Sequence, residues 1–127
     1  MLAHMSKRRF GTILNLNTRY KATKTGSILI IAIRRYKNKY DDWPQSLDDV
    51  KNLTAATNFI DPFNGGNYVY RLAGDNFILY SKGENGIDEN GKEGWISGTE
   101  NRADDKLIWP NSRKELEKLT ENKEPAE

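Results

Sequence analysis

A polar loop between two apolar segments holds the residues with the clearest chemical potential. The loop follows the apolar residues 77–80, is rich in Gly, Asn, Asp and Glu, and ends at the adjacent pair Asp104 and Asp105. Such a loop buries little apolar surface, so the entropy of ordering it must be offset by something else. Oxygen ligands from both ends of one loop, with glycines at sharp turns, are what a hard cation such as calcium requires. The sequence therefore predicts a calcium site in this loop.

Two other interpretations follow from the same residues. In the first, each Asn and Asp bonds its own backbone in an Asx turn, and Gly83, Gly86 and Gly91 are only turn residues. In the second, Asp104 and Asp105 act as an acid–base pair. Adjacent side chains on a regular strand point to opposite faces, however, so these two cannot flank one substrate bond. The sequence shows no nucleophile paired with a base and no phosphate-binding glycine loop, and we expect no enzymatic activity.

The composition excludes several classes of site. The 127 residues include no cysteine, which excludes disulfides, thiolate metal sites and cysteine nucleophiles. The single histidine, His4, lies in a segment that resembles a cloning remnant, so we expect neither a histidine triad nor a zinc site. No run approaches the roughly 18 apolar residues that span a bilayer. We expect a soluble chain without a cleavable signal peptide.

Charge is distributed unevenly along the chain. Residues 1–40 carry ten Lys or Arg and no Asp or Glu, whereas the rest carries the other ten basic residues and all 18 acidic residues. A basic arm on an acidic body is typical of proteins that bind nucleic acid, anionic lipid or an acidic partner, although a solvated helix face gives the same pattern. A binding module that grips nucleic acid or an acidic protein through a basic helix is therefore the alternative function.

Apolar spacing predicts a long helix over residues 18–40. Leu29, Ile33, Tyr36 and Tyr40 recur at i, i+4, i+7 and i+11 and so share one helix face. The β-branched run 28–33 leaves a buried strand as the rival interpretation. Residues 6–17 show no clear period, so we expect residues 1–17 to be an expression remnant or a flexible N-terminal arm.

The rest of the chain predicts a small sheet. Pro44 ends the long helix, and Ser46 is placed to cap a short helix over residues 47–53. A turn at 61–66 precedes strands at 68–72, 77–81 and 106–109, and a marginal helix at 112–122 leads into a disordered tail. The fold class is therefore α+β, a long N-terminal helix packed on a three-stranded antiparallel sheet, with the domain at 18–110 and a charged tail at 111–127. The second sheet face is expected to stay exposed or to meet a partner.

The order of these signals resembles that of the type II secretion pseudopilins, most closely the soluble part of the major pseudopilin (protein G) type. The matching segments are the end of the helix at 35–40, the Trp-Pro turn and short helix at 43–50, the Asp-Pro-Phe turn at 61–63 leading into Tyr-Val-Tyr at 68–70, the strand and glycine-rich loop at 77–86, and the Asp-Asp strand at 104–109. The resemblance covers residues 18–110.

The resemblance implies a pilin-like fold and a structural role in a pseudopilus, a filament that supports export of folded proteins. It implies other pseudopilin subunits and an inner-membrane secretion platform as partners, and no nucleic acid. It places the full-length protein on the periplasmic face of the inner membrane of a Gram-negative bacterium, held by a membrane anchor that this chain lacks.

The resemblance also implies Ca²⁺ in the loop between the last two strands. The side-chain ligands carried over are Asn85, Asp88, Asp104 and Asp105, with main-chain oxygens of residues 80–82, that of Ser81 among them. The family usually has Asp where this chain has Asn85, so one charged ligand is lost. Asp88 is the first candidate to replace it, ahead of Glu84 and Glu89.

Overall fold

The computed structural model describes residues 7–95 and 102–121. Two helices enclose a sheet: α1 spans Lys7–Tyr40 and α2 spans Arg113–Glu121. The strands are β1 (Val69–Ala73), β2 (Asn76–Ser81), β3 (Glu93–Trp95), β4 (Arg102–Asp104) and β5 (Lys106–Trp109). Two short 3-10 helices, Leu47–Val50 and Ala56–Phe59, connect α1 to the turn before β1. The predicted α+β class, with a long N-terminal helix and a three-stranded antiparallel sheet, is confirmed.

Helix α1 is longer than predicted at its N-terminus and ends where predicted. It begins at Lys7 rather than at residue 18, so residues 7–17, which were expected to be an expression remnant or a flexible arm, are helical; residues 1–6 lie outside the described residues. Missing periodicity shows only that a segment has no single packed face, and it does not prevent helix formation. At the other end Asp41 takes a positive φ of 58°, and its N–H donates to the carbonyl of Lys37 at 2.8 Å. Among the described residues, no helix has a stretch long and apolar enough to cross a membrane.

The three-stranded sheet has β2 at its centre, with β1 and β5 paired antiparallel on either side. On one side Val69 lies opposite Tyr80 and Ala73 opposite Asn76, which makes β1 and β2 a hairpin. On the other side Ser81 lies opposite Lys106, and the register shifts between Leu79 and Tyr80. The polar loop therefore leaves the central strand and returns to pair with it, so its two ends are held close together.

One face of the sheet packs against α1. Leu29 and Ile33 of the helix are fully buried against Phe77 and Leu79 of β2, as the alternating pattern predicts. The Phe77 ring also contacts Trp43, Tyr70 and Trp109, at centroid distances between 5.1 and 5.9 Å. Aromatic residues on these strands therefore fill the core.

The second sheet face is covered in part by α2 rather than left exposed. Leu116 of α2 packs with Ala73, Ile78 and Tyr80, and Leu119 lies against the same cluster. The helix begins at Arg113, where the N–H of Glu115 is capped by the Ser112 hydroxyl at 3.2 Å. The predicted helix at the C-terminal end is confirmed through Glu121, and the predicted disordered tail lies outside the described residues.

Inside the loop the structure has a second, two-stranded sheet that the sequence did not predict. Strand β3 pairs antiparallel with β4, and Glu93 lies opposite Asp104. Each strand has only three residues and β3 contains Gly94 at a φ of 108°, so neither carries an alternating apolar pattern. This small sheet fixes the direction from which Asp104 enters the loop.

Candidate metal centre

Three acidic side chains converge at the end of the polar loop, next to the one-residue gap between β4 and β5. Glu89, Asp104 and Asp105 each offer one carboxylate oxygen, and these atoms lie within 4.8 Å of one another. Asp104 ends β4 and β5 begins at Lys106, so the strand is interrupted at Asp105. Because the strand is irregular there, the two adjacent aspartates are not forced to opposite faces, and both reach the cluster.

Asp105 is the most buried member of the cluster, with no exposed surface. Its Oδ2 accepts two backbone hydrogen bonds, from the N–H of Glu89 at 2.8 Å and from the N–H of Gly91 at 2.9 Å. Within the described part of the chain, its Oδ1 is buried and has no hydrogen-bond donor. A buried carboxylate oxygen without a donor costs free energy unless a cation or a proton compensates it.

Asp104 presents a second oxygen of the same kind. Its Oδ2 accepts the N–H of Asn85 at 3.2 Å, while its Oδ1 is buried without a donor among the described residues. Gly83 lies directly against it: a Cβ at Gly83 would lie 2.6 Å from that Oδ1 and 2.2 Å from the Asp104 carbonyl oxygen. Glycine at position 83 is therefore what allows Asp104 to approach the start of the loop.

Glu89 links the two halves of the loop. Its Oε1 accepts the N–H of Asp104 at 2.9 Å and the side-chain amide of Asn85 at 3.1 Å. Asn85 was predicted as a ligand, but in this structure its amide nitrogen faces the cluster and its Oδ1 accepts the N–H of Ile87 at 2.8 Å. The side chain of Asn85 thus holds Glu89 in place as a hydrogen-bond donor, in an Asx turn of the kind that the alternative interpretation expected.

Asp88, the first candidate to replace the missing charged ligand, lies outside the converging group. Its carboxylate pairs with Arg71 at 2.6 Å, accepts the N–H of Asn90 at 3.0 Å and accepts the hydroxyl of Tyr80. Desolvation opposes ionisation of this carboxyl, but the hydrogen bonds from Tyr80 and Asn90 and the charge of Arg71 prevail and lower its pKa. Asp88 is already compensated by these partners, and Glu89 rather than Asp88 belongs to the converging group.

The Ser81 side chain also has its hydrogen-bond partners outside the cluster. Its hydroxyl donates to Asp61 Oδ2 at 2.5 Å and accepts the N–H of Gly83 at 3.0 Å, and the side chain is fully buried. Asp61 in turn accepts the N–H of Phe63 at 2.9 Å and the amide of Asn64 at 3.0 Å. The Ser81 side chain therefore anchors the start of the loop to the turn before β1, and it does not point a free oxygen at the cluster.

The electrostatics of the cluster favour the binding of a positive charge. Desolvation, together with the negative charges of Glu89 and Asp88, raises the pKa of Asp105, although the hydrogen bonds from Gly91 and Glu89 act in the opposite direction. The arrangement offers three carboxylates, two of them with uncompensated buried oxygens. Such a set of hard oxygens can hold a divalent metal ion, with water completing the coordination. The geometry alone does not select one metal.

On sequence alone, Glu89 ranks with Glu84 behind Asp88 as a replacement ligand, and Asp61 is only a turn residue. Each side chain is held by a hydrogen bond from a residue distant in sequence: Glu89 by Asp104, and Asp61 by Ser81. A local sequence pattern does not reveal such contacts. The Asp-Pro-Phe turn was the one available signal for Asp61, since an Asx turn uses a short acidic side chain to accept a nearby backbone N–H.

Comparison of the chain with known protein families, with curated proteins and with solved structures found no match in any of the three.

Proposed function

We propose that this chain is a structural subunit of a type II secretion pseudopilus, with a pilin-like fold and a loop that Ca²⁺ makes rigid. The main support for this role of the loop is a pair of buried carboxylate oxygens, Asp104 Oδ1 and Asp105 Oδ1. Neither has a hydrogen-bond donor among the described residues, and both side chains lie next to that of Glu89. The family part of the proposal is supported by the order of the motifs and by a 34-residue helix on a three-stranded sheet. In this role the protein assembles and performs no chemistry.

Calcium suits the donor set better than the other common divalent ions. Zinc sites in proteins usually include cysteine or histidine, and the cluster has only carboxylates. Magnesium needs near-ideal octahedral geometry and keeps most of its water, whereas calcium accepts six to eight oxygens in flexible arrangements. Exposed loops of this kind bind calcium with a Kd of roughly 10⁻⁴ to 10⁻³ M in extracellular modules.

Calcium should raise the thermal stability of the protein, and EDTA should remove the gain. At a free Ca²⁺ concentration of 10 to 100 times the Kd, the folded state gains about 1.4 to 2.7 kcal/mol. Differential scanning calorimetry at increasing Ca²⁺ measures this gain, and Mg²⁺ at the same concentrations serves as the control. Absence of any shift at about 10 mM Ca²⁺, which is above the weak-site range, would contradict the site.

Asp105→Asn should abolish the calcium response without lowering the stability of the calcium-free protein. The new Oδ1 can still accept the N–H groups of Glu89 and Gly91, and the uncompensated charge is gone. Asp48→Asn, at an exposed position, is the matched control and should respond to calcium like the natural protein. A variant at position 105 that keeps the full calcium gain would exclude Asp105 as a ligand.

The calcium gain should also shrink on acidification. Burial raises the pKa of Asp105 in the folded protein, so ionised Asp105 destabilises the calcium-free fold above that pKa. As the pH falls through the folded pKa, this cost is relieved and the proton competes with the metal ion. Both effects reduce the stability that calcium adds at low pH. Calorimetry at several pH values, with and without Ca²⁺, measures how this added stability changes.

The assembly role is supported by apolar side chains on the outer face of α1. Leu16, Tyr20 and Ile31 are 59%, 68% and 59% exposed, and their positions place them within about 60° of one another around the helix. The chain has no cysteine, so a single introduced thiol reports one contact. Tyr20→Cys should form cross-linked dimers at high concentration, whereas Asn52→Cys, at an exposed position off this helix, should not. Equal cross-linking of both variants would contradict a helix-mediated assembly.

A binding module for nucleic acid or an acidic protein is the alternative. Six of the basic residues of α1 are exposed: Arg19, Lys21, Lys24, Arg34, Arg35 and Lys39. Four of them, Lys21, Lys24, Arg35 and Lys39, lie within about 60° of one another around the helix. Arg19 and Arg34 lie apart from this stripe, and the Arg34 guanidinium lies over the Trp109 ring at 4.7 Å. Nucleic-acid binding would weaken steeply with added salt, so retention on an oligonucleotide at low but not at high salt would favour this alternative.

A further inference from the structure

Three Asn-Gly pairs lie in the loops of this protein: Asn64-Gly65, Asn85-Gly86 and Asn90-Gly91. Such pairs can modify themselves, because a glycine has no Cβ to shield its backbone nitrogen from the preceding side-chain amide. In all three the glycine has a positive φ, of 75°, 67° and 78° respectively. The backbone conformation therefore does not distinguish the three pairs.

The backbone N–H of each glycine does distinguish them. The N–H of Gly65 donates to the Asp61 carbonyl at 2.7 Å, and the N–H of Gly91 donates to Asp105 Oδ2 at 2.9 Å. The N–H of Gly86 has no acceptor among the described residues, and Gly86 is exposed. The nitrogen that must attack is thus occupied at two sites and available at the third.

Of the three asparagine side chains, that of Asn64 makes the most hydrogen bonds among the described residues. The amide of Asn64 donates both to Asp61 Oδ2 at 3.0 Å and to the Gly83 carbonyl at 2.9 Å, and its Oδ1 accepts the N–H of Gly66 at 2.8 Å. The exposed Asn85 donates one bond, to Glu89, and its Oδ1 accepts the N–H of Ile87 at 2.8 Å, while Asn90 Oδ1 accepts a bond from Arg71 at 3.2 Å. The departing amide is therefore held less firmly at Asn85 than at Asn64.

We propose that Asn85-Gly86 is a self-modification site whose product adds a carboxylate to the cation cluster. The Gly86 nitrogen forms a bond to Asn85 Cγ and gives its proton to solvent, the Cγ–Nδ2 bond breaks, and the Nδ2 group takes up one proton from solvent and leaves as ammonia. The resulting five-membered succinimide takes up one water molecule, and its ring opens to aspartate or isoaspartate. Water is the only co-reactant, and both products carry a free carboxylate at position 85.

The new carboxylate changes the cluster because of where Asn85 stands. Its amide nitrogen lies 3.1 Å from Glu89 Oε1, and its backbone N–H donates to Asp104 Oδ2 at 3.2 Å. Without a cation, an acid in place of the amide repels Glu89 and loses the hydrogen bond that holds it. With a cation bound, it supplies a fourth negative ligand group and so tightens binding. This consequence rests on the proposed calcium role of the cluster, whereas the modification itself does not.

Peptide mass spectrometry after incubation at mildly alkaline pH without calcium tests the modification. Trypsin releases the peptide 83–92, which contains both Asn85 and Asn90, and fragment ions assign the amide-to-acid mass change to one of them. We expect Asn85 to convert at least about tenfold faster than Asn64 and Asn90, because their glycine N–H groups must first lose a hydrogen bond. In denaturant the three rates should converge. Equal rates in the folded protein, or the same ratio of rates in denaturant, would overturn the proposal.

Calcium titration of variants tests the consequence. Asn85→Asp should lower the calcium Kd about tenfold, because affinity in such sites depends on the number of charged ligands. Asn85→Gln keeps an amide and serves as the matched control, with no gain in affinity and no rapid modification at that position. A Kd unchanged by Asn85→Asp would overturn the link to the cluster. Absence of calcium binding in both proteins would refute the proposed function and leave the measured modification rates intact.

Discussion

Gly83→Ala should lower the free energy of unfolding by about 3 to 5 kcal/mol, the largest loss that we expect from a single methyl group in this protein. An added Cβ would lie 2.2 Å from the carbonyl oxygen of Asp104 and 2.6 Å from its Oδ1. The obstacle is backbone as well as side chain, so no rotation relieves it. The φ of +67° adds strain for any residue with a Cβ.

Gly74→Ala is the matched control for this prediction. Gly74 has a similar φ of +60°, but a Cβ there would meet nothing within 4 Å. It should therefore cost only the conformational penalty, about 1 kcal/mol. Urea denaturation measures both variants, and the difference between them isolates the close approach of Asp104. If the two variants lose the same stability, the start of the loop and Asp104 are not in contact.

The strands of the main sheet were predictable because their side chains alternate. Phe77 and Leu79 face α1 while Ile78 and Tyr80 face α2, and this period of two is visible in the sequence. The full length of α1 was not predictable, because the periodic signal reports burial and the described side chains just before Ala22, those of residues 16–21, are not part of the buried core. Strands β3 and β4 were missed because three-residue strands in a polar loop carry too few residues to show a period.

The acidic cluster lies in the loop where the sequence predicted a metal site, but it includes Glu89 and does not include Asp88. The Asp104 and Asp105 pair was visible because it directly precedes an apolar strand. Glu89 belongs to the cluster and Asp88 does not, because the Asp88 carboxylate is paired with Arg71 and hydrogen-bonded to Tyr80. These two partners lie 17 and 8 residues away in the sequence. A linear pattern does not report competition between partners that only the fold brings together. The irregular backbone at Asp105 was hidden for the same reason, because strand rules assume a regular strand.

Asp61→Ala should destabilise the protein by about 3 to 5 kcal/mol, although Asp61 was predicted only as part of a turn. Its carboxylate is fully buried and accepts three hydrogen bonds, from the backbone of Phe63, the amide of Asn64 and the hydroxyl of Ser81. Alanine would remove this acceptor from all three donors, and of the three only the Asn64 amide has a second acceptor among the described residues, the Gly83 carbonyl. Chemical denaturation measures the loss.

Asp61→Asn keeps the size and shape of the side chain and removes only part of its hydrogen bonding. It therefore separates the effect of the lost hydrogen bonds from that of the lost side-chain volume. Its Oδ1 can still accept the N–H of Phe63, but its new amide nitrogen faces the amide of Asn64, so about half of the alanine loss should remain, roughly 2 kcal/mol. The calcium response gives the decisive contrast with the cluster. Since Asp61 lies outside the group of Glu89, Asp104 and Asp105, either variant should keep the stability gain from calcium under conditions where it is folded. Loss of that gain would mean that Asp61 acts on the metal centre itself, through Ser81 and Gly83, rather than as an anchor of the loop.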